Sequence, residues 1–485
     1  MAATGATLQA PSSRVPARSP RLPYGWPIYA LFLGFPLWWV LGLASFIWPV
    51  MAVPITFSLL SRDKVRVPKG FGFYLLFFLW MLATALQITG PDRMVGFAYR
   101  AILYYSAGAF GLYVYNAPKR ALPAATLVRV MAFFWVIVVA GGLFGILAPT
   151  FQMKTLAEML MPKRLLANDY VYSLVHPLTA QVQTFLGYPV PRPTAPFVFT
   201  NDWGGNFALL VPFVLAAWAQ MRSVARKNLF RLLAAVSVIP VIFSLNRVLW
   251  FCLVVTMVYG SVRWAIRGRV GALHGALAVG AIFVFIFTFP PTAKLINDRV
   301  NTPHSNQGRS ILYNEAADSV EKSPLLGYGA PRPSQVNPNL PSVGTQGHFW
   351  LVLFSHGIPG AFLFVAFFVA ACWRTRKAPS AAGLWCHVVV LLAIVQMPFY
   401  GLLSSQLHVI MLAIALASRE AVEPDGPEPE YTVTAVVVSP AGEPGALHAF
   451  GGNGNGNGNG HGTHANGHSE RRSPWGDPGD YGSGV

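Results

Sequence analysis

The residues best suited to chemistry gather between Pro290 and Gly360, where Arg299, Arg309, Arg332, Glu315, Glu321, His304 and His348 interrupt a chain otherwise built from Leu, Val, Phe and Ala. Two further arginines stand against apolar surroundings, Arg247 in SLNRVLW and Arg100 in GFAYRAILYY. A guanidinium presents a planar fork of N–H donors that fits the oxygens of a phosphate or diphosphate. A neutral imidazole can take a proton from a hydroxyl. Together these groups suit displacement of a diphosphate by an alcohol. Plainer readings stand beside this one. Arg247 reads equally well as a turn residue reaching for water, Arg309 and Arg332 as solvated loop charges, and His348 as an interfacial side chain. His356, His387 and His408 read as packing or interfacial groups.

The elements that must position these side chains are membrane elements. Hydrophobic residues make up 54% of the 485, charged ones only 11%, and the mean hydropathy is +0.47, a composition whose solvent is largely lipid. The net charge of +17 would in a soluble chain suggest nucleic acid, but here the basic residues sit in short clusters between apolar runs and read as topology, so no nucleic acid is expected. Cys252, Cys372 and Cys386 lie in apolar runs without metal-ligand spacing and read as small apolar residues.

Residues 1–26 are rich in Pro, Ala and Ser, with Arg14, Arg18 and Arg21, and read as a cytoplasmic segment followed by an uncleaved anchor. The uncharged run from Trp26 to Ser61 would be a helix of about 50 Å, too long for a ~30 Å hydrocarbon core, so it predicts two short spans with a turn near Gly42–Ser45. Further spans are predicted at 70–89, 94–116, 122–148, 200–221, 229–245, 248–263, 271–290, 347–372, 380–398 and 400–418, about twelve in all. With the amino terminus inside, the clusters Arg62/Lys64/Arg66/Lys69, Lys119/Arg120, Arg222/Arg226/Lys227, Arg263/Arg267/Arg269 and Arg374/Arg376/Lys377 all fall on inner loops. Eight of the nine acids before residue 419 fall outside or at an outer boundary, Asp63 being the exception.

Two long outer loops result, over 150–199 and 291–346. In the first, KTLAEMLMPKRLLANDYVYSLV reads as one amphipathic helix at the membrane surface, or as a loop folded over the spans. In the second, GRSILYNEAADSVEKSP predicts a helix with Arg309 in its first turn and Pro324 as its stop, where a guanidinium and a helix amino terminus would together bind an anion. The glycines of PLLGYG predict a tight turn, and His348 is placed at the outer mouth of the next span. Arg100 lies ~12 Å along its span from Asp92, a depth at which an ionised side chain calls for a partner or an anionic ligand. Residues 419–485, with their Gly/Asn repeat and His461, His464 and His468, read as a disordered cytoplasmic tail.

The order of these signals is more specific than any one of them. An arginine in a short outer turn, a long outer loop with RSILY, then PLLGYG, then HFWLVLFSHGIPG, preceded by FTNDWGGNFALLVPF at 199–213, resembles the O-antigen ligase and polymerase family of bacterial envelope glycosyltransferases over residues 27–418. The resemblance implies an all-α polytopic membrane protein of about 12 transmembrane helices, GT-C-like, with a long extracytoplasmic loop carrying short helices. It implies transfer or polymerisation of a polyprenyl-diphosphate-linked saccharide at the outer face of the cytoplasmic membrane, onto a glycan, lipid or protein hydroxyl. Arg247 and Arg309, joined by Arg100, would hold the diphosphate and His348 would be the base. Glu315, Tyr313, Tyr328 and Arg332 are candidate donor or acceptor contacts. The chain departs from the family in having Phe349 where members commonly carry Asn after the histidine. No cofactor and no metal are expected, since the first outer turn has no acid to hold one. Two other classes remain: a lipid-linked saccharide flippase or transporter, and a non-catalytic membrane component of a polysaccharide-export complex.

Overall fold

The computed structural model describes residues 23–183, 188–301 and 304–421. Most of the expected 1–26 segment, and the tail from residue 422 onward with its three histidines, lie outside them. Helices form wherever a span was predicted. The run after Trp26 breaks twice, into α1 (Trp26–Phe32), α2 (Phe35–Val40) and α3 (Ile47–Leu60), with the turn at Gly42 in a left-handed conformation, φ 75°. There follow α4 (Gly72–Ala83), extended by a 3-10 turn to Gln87, then α5 (Pro91–Asn116) and α6 (Ala124–Leu147).

The first long loop corrects the expectation of one amphipathic helix. It holds three short helices, α7 (Leu156–Leu160), α8 (Lys163–Leu166) and α9 (Asp169–Val175), followed by an antiparallel hairpin of β1 (Ala180–Gln183) and β2 (Val190–Pro193). The breaks have local causes. Pro162 ends the first helix and starts α8, and the Asn168 side chain accepts backbone N–H bonds at the start of α9, as Thr155 does at the start of α7.

Beyond the hairpin come α10 (Thr200–Gln220), α11 (Val224–Phe243), α12 (Arg247–Ile266) and α13 (Gly271–Thr288). The second loop opens with an unexpected helix, α14 (Pro290–Asn301), and continues in α15 (His304–Lys322). Because α15 starts at His304, Arg309 lies in its second turn and not its first. The chain ends in α16 (His348–Thr375), α17 (Ala381–Gln396) and α18 (Ser405–Ala421), the last running past the expected boundary at 418. Three of these stretches, α6, α12 and α16, are long and apolar enough to cross a membrane by length and composition. The core lies where α10 meets α6, α12, α17 and α18, and where α5 meets α3, α4 and α18.

α16 is not one rod. Sixteen residues of straight helix span about 24 Å, yet the rings of His348 and Phe364 are 4.8 Å apart. The chain reverses at Gly357, whose φ of 68° and ψ of −172° are not helical. His348 and Phe364 both lie level with Tyr104 of α5, while His356 lies level with Phe97. The first arm, 348–356, therefore runs toward the Pro91 end of α5 and the second arm, 358–375, runs back. His348 is deep inside, 0% exposed, not at the mouth of a span.

A helix broken inside a membrane leaves backbone groups that lipid cannot satisfy. Here the PLLGYG segment satisfies them: Tyr328 N–H donates to Phe354 O at 3.0 Å, Gly329 N–H to Ser355 O at 2.7 Å, and Ile358 N–H to Pro324 O at 2.7 Å. Trp80 donates its indole N–H to His356 O at 2.9 Å. α15 packs over the bend through a small core of Leu312, Ala316, Val343 and Phe354. A side chain at Gly357 would adopt a left-handed conformation and collide with Leu325 O. Gly357→Ala is therefore expected to cost at least about 2 kcal/mol, read as a lower thermal midpoint in detergent, whereas Gly72→Ala, with open space around it, should leave the midpoint unchanged.

Candidate active site

Arg100 sits on α5 one helical turn before Tyr104, so both project from the same face. Its electrostatic neighbours are Tyr170, Tyr104 and Tyr99, and its charge also reaches His348 and His356. Among the described residues its half-buried guanidinium makes no hydrogen bond and no ion pair.

His348 is tied at both ring nitrogens. Leu402 N–H donates to Nδ1 at 3.2 Å, and Nε2 lies 2.9 Å from Tyr104 Oη. A backbone N–H can only donate, so Nδ1 is the acceptor and the proton of the neutral ring sits on Nε2, directed at the phenol. In this arrangement both ring nitrogens are engaged, so the base role implied for His348 would require one of these two hydrogen bonds to be exchanged for one to substrate. The ring orients the Tyr104 hydroxyl, whose own proton remains to be donated.

Tyr400 gathers the other arginines. Its carbonyl accepts His348 N–H at 2.8 Å and its phenol accepts Leu249 N–H at 3.1 Å while donating to Asn246 Oδ1. The starts of α16 and α12 are thus held by one residue. Arg247 opens α12 beside Asn246, and the charges of Arg192 and Arg309 both reach the Tyr400 phenol. Arg309 also acts on Tyr313, opposing the burial that pushes that hydroxyl's pKa up. Arg192, on β2, donates to Ser244 O and Gln183 Oε1, each at 2.7 Å, and so pins the turn in front of Arg247.

The remaining candidates are engaged in hydrogen bonds and ring contacts within the second loop and the start of α16. Both Glu315 oxygens are taken, by Ser334 Oγ–H at 2.5 Å and Gln335 N–H at 2.7 Å. Tyr313 stacks on Trp350 and donates to Gln346 O at 2.9 Å. Tyr328 stacks on Phe354 and donates to Ser319 O at 3.1 Å. The Arg332 guanidinium lies 4.3 Å above the Tyr328 ring and donates to Ser319 Oγ, next to Arg93, which donates to Tyr328 O and Ala330 O. These groups build the wall formed by the second loop. Arg299 lies outside the side chains the structure describes.

Sequence reasoning missed Tyr104, Asp202, Tyr99, Tyr170 and Arg192. Only Tyr104 carried a signal, its four-residue spacing from Arg100. Asp202, half-buried in the first turn of α10, acts on Tyr99 and Tyr170, the two phenols that Arg100 also faces. Tyr170 stacks on Phe199 with ring centroids 6.4 Å apart, seating α9 on the start of α10. Among the described residues no group of three or more His, Cys, Asp or Glu could hold a metal ion. The arrangement can therefore bind an anion at Arg100 and Tyr104, with further positive charge at Arg247 and Arg309, and it keeps one carboxylate close by.

No curated protein sequence matches the chain. Residues 232–365, which run from α11 through the second long loop and past the reversal of α16, match the family model described as O-antigen ligase, and this match supports assignment of the chain to the O-antigen ligase and polymerase family.

Proposed function

We propose that the chain transfers or polymerises a saccharide carried on a polyprenyl diphosphate, at the outer face of the cytoplasmic membrane, with both termini in the cytoplasm. The acceptor is a hydroxyl of a glycan, lipid or protein. Arg100 carries this reading: a guanidinium set into the helix bundle with no counter-ion among the described residues suits an anionic ligand, and a diphosphate fills the fork with paired oxygens. Arg247 and Arg309 supply the second grip, and the family match supports the class of reaction.

The chemistry is a direct displacement with inversion at the sugar carbon. The arginines and the Tyr104 hydroxyl stabilise the charge that grows on the departing diphosphate. His348, donating from Nε2, holds that hydroxyl in place. Arginine supplies the positive charge that a divalent ion supplies elsewhere, so EDTA should leave the rate of purified protein unchanged; a loss restored by Mg²⁺ would overturn the metal-independent part of the proposal. A carrier for lipid-linked saccharides is the second reading, favoured by the broken helix α16, since discontinuous helices line substrate paths in many carriers.

Arg100→Ala should lower transfer by about 10²- to 10³-fold while the protein still inserts and keeps its thermal midpoint. A carrier would instead lose export of the lipid-linked saccharide, with transfer in opened membranes intact. His348→Gln, which keeps one donor and one acceptor, should retain far more activity and stability than His348→Ala, which leaves Leu402 N–H and Tyr104 Oη unpaired at about 1–3 kcal/mol each. Equal inactivity of the two variants with unchanged stability would assign the base role to His348.

A further inference from the structure

We infer that a notch at the far end of the bundle, bordered by Lys69 and Arg374, holds the phosphate of an anionic glycerophospholipid.

The helices fix where that end lies. α5 closes at Asn116, about 24 Å along the helix from Arg100, and the second arm of α16 runs back from the Pro91 end of α5 to close at the same level. Arg419 of α18 donates to Val114 O and Leu122 O, and Arg267 of α12 to Ala378 O and Ser380 O, which brings the ends of α18 and α12 there too. Cations resting on aromatic rings mark this level: Arg62 on Tyr24, Arg269 on Trp264 and Arg376 on Trp373. Trp373 is 68% exposed. An exposed indole beside basic side chains suits the headgroup layer of a bilayer, where the ring meets lipid and its edge meets water. This end of the bundle therefore stands among headgroups.

The cations at this end divide by what holds them. Arg62 donates to Asn116 O at 2.5 Å, Arg263 to Arg376 O, and Arg267 and Arg419 to the carbonyls above, so each closes a helix end. Lys69 and Arg374 are different. Among the described residues neither makes a hydrogen bond or an ion pair, and both line one notch between the start of α4, the second arm of α16 and the end of α18. The floor is apolar and closed: Phe71, Phe367 and Ile414 are 3%, 1% and 4% exposed. Ser418 adds a hydroxyl to the rim. Gly70 permits the close approach, because its φ is 94° and a Cβ there would lie 3.5 Å from Arg374 Nε. An ammonium and a guanidinium over one apolar floor repel each other unless an anion joins them, and the low dielectric beneath strengthens the attraction when it does. A phosphate diester takes the guanidinium on paired oxygens and the ammonium as a point charge, with Ser418 as a further donor. At headgroup depth, the phosphate within reach is that of a lipid.

The plainer role for Lys69 and Arg374 is that of solvated surface charges, and a charge-matched control separates the two. The full-length protein, purified in detergent, is titrated with phosphatidylglycerol or phosphatidylcholine; the thermal midpoint is followed, and native mass spectrometry counts the lipid retained. Phosphatidylglycerol should raise the midpoint and remain bound where phosphatidylcholine does neither. Lys69→Gln combined with Arg374→Gln should raise the half-saturating phosphatidylglycerol concentration by about 10- to 30-fold, the effect of removing two basic side chains from a headgroup. Arg222→Gln combined with Arg226→Gln, an equal loss of charge on the exposed turn between α10 and α11, should leave it unchanged. Equal weakening by the two pairs means diffuse surface attraction and overturns the inference, as does phosphatidylglycerol binding no better than phosphatidylcholine. The same stabilisation by millimolar inorganic phosphate overturns the lipid assignment. Should the notch variant have a lower midpoint without lipid, the retained-lipid count decides: phosphatidylglycerol retained as in the parent overturns the inference, and its loss supports it.

Discussion

The structure turns on the pairing between the Pro324–Gly329 segment and the bend of α16. A chain inside a bilayer can reverse only where the freed carbonyls and N–H groups find protein partners, and Phe354, Ser355 and His356 find theirs in Tyr328, Gly329 and Trp80. The glycines on both sides are a condition of that pairing: Gly327 and Gly329 have φ of 62° and 69°, and a side chain on Gly327 would come within 2.6 Å of Phe354 O. The bend in turn sets His348 against Tyr104 and brings the start of α16 to Tyr400. Without it, the imidazole would sit a full helical arm away from α5.

The arginines sort by what already holds them. Arg192 is engaged by a carbonyl and a side-chain amide, Arg93 by two carbonyls, and Arg332 by an aromatic face and a hydroxyl. Each of these ties a long loop to a helix. Arg100 has no such bond among the described residues, and its surroundings are phenols and imidazoles that can donate as well as accept. Under the proposed function, construction and anion recognition fall to different members of one residue type, and hydrogen-bond accounting distinguishes them where residue identity does not.

Much of the architecture was legible in the sequence because length and hydropathy are local quantities. The uncharged run after Trp26 had to break, and it does; the α5, α6, α10, α12 and α17 segments lie where apolar length required. The reversal of α16 was not legible, because HFWLVLFSHGIPG has the apolar content of a continuous span and the left-handed state of Gly357 depends on a partner segment about thirty residues upstream. The site was half legible. Arg100, Arg247, Arg309 and His348 were singled out by polarity in apolar surroundings, and the structure brings Arg100 to His348 and Arg309 to Tyr400. Asp202 and Tyr170 were hidden because one opens a long apolar helix and the other sits in a loop whose breaks at Pro162 and Asn168 cut the expected amphipathic helix into three.

Tyr400 has a mechanical implication. One residue accepts the first N–H of α16 through its carbonyl and grips the start of α12 through its phenol, so the two helix ends share a single pivot. Neither helix start can shift without straining the hydrogen bond that holds the other, so the His348 backbone and the first turn of α12 are set in one frame.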